Sequence, residues 1–453
     1  MNIVIFGSNS IALNVARRFA RAGEMVTVLS HGETDLLGSF ESAGCDIVIT
    51  LKGDLQPIID AGKLKPDAFI ALTNDSEANL MYCNIMKLSF GVKNRIAKVH
   101  NYEYFPEAKC IDKNVFNHIN KMGKVISLEN LIADRVLFNS KFMNTKNVFK
   151  FFDDKYIFAN LVVVKNCIKQ EDLEKNHKVA IIGTSRLNIF KRREEKKVLQ
   201  KGDNIYIVAT KRNLNNIAKE VINANISTKT TSCVIGGGDY TGRAIISKVS
   251  KKIKQITVIE KNENTAIRLT ERFANIDVLH SNISDWIMME NAGVGNADLY
   301  ISTSSNGSAN IISAVVAKGI GCKRSICILL DVPYDRTMGL LDVDAIINAN
   351  SIFADEVVSS VYSAGSAKIG SFYQDKLFCC ELNVRPKSVI IGKKPNQVSR
   401  KYNINIIAVR NKDNNFITLN DELNEYKINE KDTLLFWCHV KHLGSIKKIA
   451  LVK

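Results

Sequence analysis

The sequence has 453 residues, too many for one ordinary core, and its 46% hydrophobic and 24% charged residues exclude wholesale disorder. Its apolar runs fall short of the roughly 18–20 residues a membrane span needs, and it opens in a buried-strand pattern, so a cytosolic protein is expected. The formal charge is +16, but the densest basic run, Lys191-Arg192-Arg193 with Lys196-Lys197, is interrupted by Glu194-Glu195, which points to a solvated face and not to nucleic acid.

In chain order, Asn2 to Phe6 forms an apolar strand that runs into a glycine turn and an amphipathic helix over Ile11 to Arg21. Strands are predicted at 25–29, 46–50, 67–72 and 95–99, with a helix over Glu77–Phe90. Residues 140–215 change character. They alternate as Phe158-Ala159-Asn160-Leu161-Val162-Val163-Val164 and carry a short helix near Asp172–His177. The first pattern then returns, with strands at 256–260, 276–280, 298–302 and 324–329 and helices over Ala244 to Lys251 and Ala309–Lys318. Residues 368–453 return to the second pattern, with Phe378 to Val384 as a strand and Lys394–Lys401 as a helix.

The return is a duplication. Ile5-Phe6-Gly7-Ser8-Asn9 aligns with Val234-Ile235-Gly236-Gly237-Gly238, and Val26 to Ser30 aligns with Ile256 to Glu260. Asp67-Ala68-Phe69-Ile70 aligns with Asp298-Leu299-Tyr300-Ile301, and Glu77-Ala78-Asn79-Leu80 with Ser308-Ala309-Asn310-Ile311. Strands alternating with helices imply a parallel sheet with right-handed crossovers. The fold class is therefore α/β. Two Rossmann-like doubly wound parallel-sheet domains (1–120 and 230–350) are each followed by a linker helix and a small α+β domain (121–225 and 351–453).

A first strand ending in Gly-x-Gly-x-x-Gly turns backbone amides and a helix N-terminus toward a pyrophosphate, and an acid ending the second strand can hold the ribose. In the second half Gly236 and Gly238 fill the first two places, Thr241 stands in the third with Gly242 just after, and Glu260 ends the second strand. Gly237, Asp239 and Tyr240 complete that turn. In the first half Gly7 is followed by Ser8, then Asn9 in the second glycine's place, then Ser10 and Ile11, with Ala12 in the third place and Ser30 in the acid's. Thr73 and Asn74, with Ser304 in the second half, end the fourth strands, where they can meet a ribose or cap the next helix.

At these residues the sequence resembles the TrkA-type regulatory subunits of Trk potassium uptake systems, within the RCK/KTN domain family. The resemblance runs over Asp67 to Asn79, Asn94-Arg95-Ile96-Ala97-Lys98-Val99, Gly236-Gly237-Gly238-Asp239 and Val258-Ile259-Glu260, in the tandem order RCK-N, RCK-C, RCK-N, RCK-C. It implies a peripheral protein on the inner face of the cell membrane, assembled as a homo-oligomeric ring (a tetramer of tandem units) beneath a membrane-embedded potassium transporter. It also implies binding of NAD(H), or of ATP or ADP, and places Lys98 beside the ligand. The sequence departs from the family pattern at Asn9, Ser30, Thr241, Cys327 and Ser304-Ser305-Asn306.

Other chemistry finds little support. A hydride-transfer enzyme commonly pairs a Tyr with a Lys four residues on, and none of the 12 tyrosines has one. His100 and His280 follow sheet strands, but no neighbouring carboxylate orients either in sequence. The ten cysteines show no Cys-x-x-Cys spacing and are expected to be buried thiols, and no catalytic or metal residue is assigned.

Overall fold

The computed structural model describes the chain apart from residues 33, 52–53, 55, 101–122, 143–144, 146–147, 166–167, 178, 187–188, 194–197, 225–228, 331–341, 364–366, 374, 419–422, 424 and 451–453. Cys110, Cys167 and the Glu194 to Lys197 part of the basic run therefore lie outside the described residues. The eight described cysteines are all buried free thiols.

Each half opens on a six-stranded parallel sheet. The first contains β1 (Asn2–Phe6), β2 (Met25–His31), β3 (Asp46–Thr50), β4 (Ala68–Ala71), β5 (Asn94–Val99) and β6 (Lys124–Ser127), in the order β3-β2-β1-β4-β5-β6. The second contains β7 (Ser232–Gly236), β8 (Gln255–Glu260), β9 (Asp277–His280), β10 (Leu299–Ser302), β11 (Ser325–Leu329) and β12 (Ala345–Asn348), in the matching order β9-β8-β7-β10-β11-β12. The order reverses at β1 and β7, whose carboxyl ends therefore face the crevice of an open α/β sheet. Sixth strands were not foreseen from sequence: both are four residues long and run straight into a helix.

Helix α1 (Ser10–Arg21) follows β1 and buries Ile11, Ala12, Val15, Ala16 and Phe19, one stripe at helical spacing. Helix α2 (Ser76–Phe90) joins β4 to β5 and stops at Gly91 in the left-handed conformation. After β6 comes α3 (Leu128–Asn139); in the second half α4 (Tyr240–Val249), α5 (Gly307–Gly319) and α6 (Ala349–Ser363) take the corresponding places. Among the described residues, no helix is long and apolar enough to cross a membrane.

The small domains are five-stranded antiparallel sheets. The first sets Ile189–Arg192, Ala180–Arg186, Asn204–Thr210, Tyr156–Val162 and Val148–Phe151 side by side; the second sets Ala367–Phe372, Leu377–Asn383, Thr433–His439, Asn405–Arg410 and Phe416–Thr418. Aromatic side chains join the two sheets. Tyr156 stacks on Phe416 with centroids 3.6 Å apart, and Phe158 lies 5.0 Å from Phe372.

The halves dock reciprocally. The linker helix α3 packs along α4 of the second sheet's face, and α6 packs along α1 of the first. A single apolar cluster runs through both contacts, from Val15 and Phe19 to Phe353 and Val357, and from Ala133 and Val136 to Ile245 and Val249. Each contact carries one ion pair at equivalent positions. Arg18 bonds Asp355, both deeply buried, and lies 3.1 Å from the part-buried Asp375; Lys248 lies 2.6 Å from Asp134, which is 66% exposed.

Burial decides what each pair is worth. Removing Arg18 strands the desolvated carboxylate of Asp355, a loss of about 3–5 kcal/mol, whereas a pair with an exposed partner contributes less than about 1 kcal/mol. Urea unfolding should therefore show Arg18→Ala far less stable than wild type and Lys248→Ala nearly unchanged. Equal losses would contradict the assignment.

Candidate functional site

Strand pairing fixes which residues of the two halves are equivalent, and it corrects the sequence alignment of the glycine turn. Phe6 pairs with Leu29 and Ala71, and Gly236 pairs with Ile259 and Ser302. Gly7 donates its amide to Leu29 and Gly237 donates to Ile259, each at 2.9 Å. Gly7 therefore corresponds to Gly237, not to Gly236, and Ser8, Asn9 and Ala12 correspond to Gly238, Asp239 and Gly242. Gly236 is the last residue of β7, and Gly238 is not the second glycine of the fingerprint.

The two true first glycines are fixed by geometry. Gly7 has φ +118° and Gly237 φ +112°, and a Cβ would stand 2.9 Å from the Leu72 carbonyl carbon or 2.8 Å from the Ser304 nitrogen. At Gly242 a Cβ would meet the Gly237 carbonyl oxygen, so the third glycine is present in the second half after all. Ala12 takes its place in the first half and is fully buried.

The second glycine is missing from both turns, and its replacement is a helix cap each time. Asn9 precedes α1 and accepts the Ala12 amide on Oδ1 at 3.0 Å, while its Nδ2 donates to the Leu72 carbonyl at 2.7 Å. Asp239 precedes α4 and accepts from Thr241 and Gly242 at 3.0 and 3.1 Å. Asn and Asp are strong caps for the same reason, a side-chain oxygen placed over free amides. Those amides are also the ones a bound phosphate would use.

The ends of the second strands differ more. Ser30 is fully buried; its hydroxyl lies 2.8 Å from the Gly32 carbonyl, which can only accept, and 2.7 Å from Ser8 Oγ. Glu260 accepts the Gly238 amide at 2.6 Å and the Asn262 amide at 2.7 Å. Burial, with Glu260 adding repulsion, raises the Asp239 carboxyl above its usual value despite two backbone hydrogen bonds and Arg243. The Arg243 guanidinium lies 4.4 Å over the ring of Tyr240, which is itself exposed.

At the ends of the fourth strands, Thr73 and Ser304 each place a hydroxyl 2.7 Å from Oδ1 of a buried asparagine, Asn79 or Asn310. These asparagines also donate to the carbonyls of Lys98 and Ile328 at 2.8 and 2.9 Å, tying the fourth strand end to the fifth. The caps of α2 and α5 are Asp75 and Asn306, not Thr73 or Ser304. Sequence reading passed over Asn79 and Asn310 as site residues, although both stand in the repeated segment that revealed the duplication.

Asn74 is exposed and bridges the first crevice. Its Oδ1 accepts from Lys98 Nζ at 3.2 Å and from Asn9 Nδ2 at 3.4 Å. Lys98 is 1% exposed, and burial lowers it to about 8, with Glu129 acting in the opposite sense. Ile328 stands in its place in the second half. Ser10 and Ile11 begin α1, so their amides belong to the same helix start.

His100 has a partner that sequence could not show. Its Nδ1 lies 3.1 Å from Glu129 at the start of α3, and Ser127 donates to the other Glu129 oxygen at 2.8 Å. His280 is exposed, and its Nε2 lies 3.0 Å from the Lys261 carbonyl.

A dinucleotide diphosphate needs free amides at the helix start and tolerates no fixed negative charge beside it. The first turn, residues 7–12, contains no carboxylate and has Lys98 within reach of its cap through Asn74; its neutral cap can yield to a phosphate. The second turn, with Asp239 and Glu260 both turned onto its amides, does not fit a diphosphate. Glu260 does occupy the place from which an acid holds a ribose.

Comparison with known proteins agrees with the duplication. The TrkA-N domain family matches residues 3–120 and again residues 233–349. The Trk system potassium uptake protein TrkA of Haemophilus influenzae is 23% identical, over 76% of this chain and 76% of that protein. A TrkA homolog of Methanosarcina mazei is 19% identical over 88% of this chain and 98% of its own length. Among solved structures, the GsuK RCK domain superposes with a TM-score of 0.58 at 16% identity, covering 96% of this chain and 92% of that one. The GsuK channel bound to NAD gives 0.58 at 15% identity, covering 99% and 78%. At such identities the structural likeness shows the fold.

The lysine supplies a test of the crevice. A lysine lowered from 10.5 to about 8 by burial costs the fold on the order of 3 kcal/mol while protonated. The unfolded chain keeps the proton to higher pH, so stability should rise from about pH 8 toward 10.5. Lys98→Met should gain about 1–3 kcal/mol at neutral pH and flatten that rise, read from urea midpoints across this range. An unchanged slope would place the charge elsewhere.

Proposed function

The chain belongs to the TrkA-N domain family, and we propose that it is a nucleotide-sensing regulatory subunit of a membrane potassium uptake system, performing no catalysis itself. The relatives named for potassium uptake match over three quarters or more of this chain, small domains included, which supports a role of the whole molecule. In this reading the protein is cytoplasmic, lies against the inner face of the membrane, and joins other copies in a ring beneath the transporter. The positive formal charge suits that placement against an anionic surface.

One observation carries the mechanism: α1 touches both places that a sensor must connect. Its first turn frames the first crevice through Asn9, and Arg18 near its other end is locked to Asp355 and Asp375 of the second half. A nucleotide can shift a conformational equilibrium only by its difference in affinity between states. A diphosphate that replaced the Asn9 cap would bear on the same rigid helix that the other half grips. Coupling of about 1–3 kcal/mol would be ordinary for such a regulator.

In the first crevice the amides of Ser8, Asn9, Ser10 and Ile11 would face the diphosphate of NAD(H), and Ser30 would meet the ribose. Thr73 and Asn74 would border the nicotinamide side, and Lys98 would supply positive charge through Asn74. ADP or ATP would use the same phosphate seat. In the second half Glu260, Gly236, Gly237, Gly238, Asp239, Tyr240 and Ser304 would form a crevice of different preference.

His100 with Glu129 favours one other reading, an oxidoreductase in which an oriented imidazole exchanges a proton with a carbonyl substrate. Turnover of NADH with carbonyl compounds, lost in His100→Ala, would establish it.

The regulatory reading predicts two measurements. NAD or NADH at a hundred times its dissociation constant should stabilise the folded chain by about 2.7 kcal/mol, a rise of several degrees in Tm. Cells lacking the chain should take up rubidium more slowly through their potassium system and recover with the wild-type chain. Uptake indifferent to the chain would end the proposal.

A further inference from the structure

The two phosphate seats of this chain differ by one charge at one equivalent position, Asn9 against Asp239. We infer that Asp239 is a built-in anionic occupant of the second seat, so that the chain binds one nucleoside diphosphate moiety, in its first half. This rests on the nucleotide-sensing reading above and adds which half does the sensing.

Three amides of the second turn are already engaged by carboxylates: Gly238 by Glu260, and Thr241 and Gly242 by Asp239. A diphosphate would have to expel Asp239 and then lie beside both carboxylates. The cation facing them is Arg243, whose guanidinium is held over the Tyr240 ring. Like charges at contact distance in a partly dry crevice repel strongly, because little solvent screens them. The gain of hydrogen bonds that could offset this is small, since three of the turn's amides, those of Gly238, Thr241 and Gly242, already have a carboxylate acceptor.

The first turn has the opposite balance. Its cap is a neutral amide that satisfies one recorded turn amide, that of Ala12. A phosphate oxygen can replace Asn9 Oδ1 there and bring charge to the positive end of α1. Ser30 and Ser8 bond each other where the second half has Glu260 against Gly238, so no carboxylate borders that seat from the second strand. Lys98 contributes a cation that the second half lacks at the equivalent place, Ile328.

Because Asn and Asp both cap helices well, exchanging them changes the charge and keeps the cap, while Asn9→Asp also gives up the bond from Nδ2 to the Leu72 carbonyl. Calorimetric titration with NAD, and separately with ADP, should find one molecule per wild-type chain. Asn9→Asp should weaken that binding at least tenfold. Asp239→Asn should add a second molecule per chain, and the double exchange should return to one. Melting temperatures of all four proteins, measured without nucleotide, would verify that each is folded. Two molecules bound by the wild type, or an Asn9→Asp protein that binds as well as wild type, would overturn the inference. If the wild type bound none while Asp239→Asn bound one, the sensing reading would fall and the exclusion by Asp239 would stand. No binding to either would sink both.

Discussion

The constraint on which both crevices depend is between backbones. At Gly7 and Gly237 the chain leaves its first strand so near the end of the fourth that even a methyl group has no room. That approach sets where α1 and α4 begin and aims their first amides at the sheet's carboxyl edge. It also leaves the residue two places on, Asn9 or Asp239, directly over those amides. Once that position carries an oxygen, capping follows from distance alone. The crevice chemistry is thus a consequence of backbone packing first and of side-chain choice second.

The second constraint is mutual. Neither linker helix packs mainly on its own sheet's first helix; each lies along that of the other half, so the apolar core crosses the molecule. Folding of either half alone would leave the faces of α1 and α3, or of α4 and α6, in water. The antiparallel sheets repeat the theme through their aromatic contact. The deeply buried Arg18 pair and the exposed Lys248 pair show how far two equivalent contacts have diverged while keeping opposite charges in place.

Much of this was legible in the sequence. The nine strands assigned to the parallel sheets form within a residue or two of expectation, because buried apolar runs between turn signals leave few alternatives. The duplication was visible for the same reason. The glycine turn was misregistered by one residue, and the cause is physical: three consecutive glycines, 236 to 238, offer a pattern no side chain to hold on to. The register is selected by strand pairing and by the hydrogen bond from Gly237 to Ile259. Glu129 beside His100 was invisible because the two lie 29 residues apart on different elements. The sixth strands escaped because four residues carry too little periodicity to separate from the helix that follows.

Joining the halves in one polypeptide has a lasting consequence. Two copies of a single gene product must carry the same residue at each cap, so any preference between them could arise only by spontaneous symmetry breaking. Here the inequality between Asn9 and Asp239 is inherited, and every assembly of this chain starts with its positions already told apart. Selection could then retune one cap without disturbing the other, a freedom that identical subunits never have.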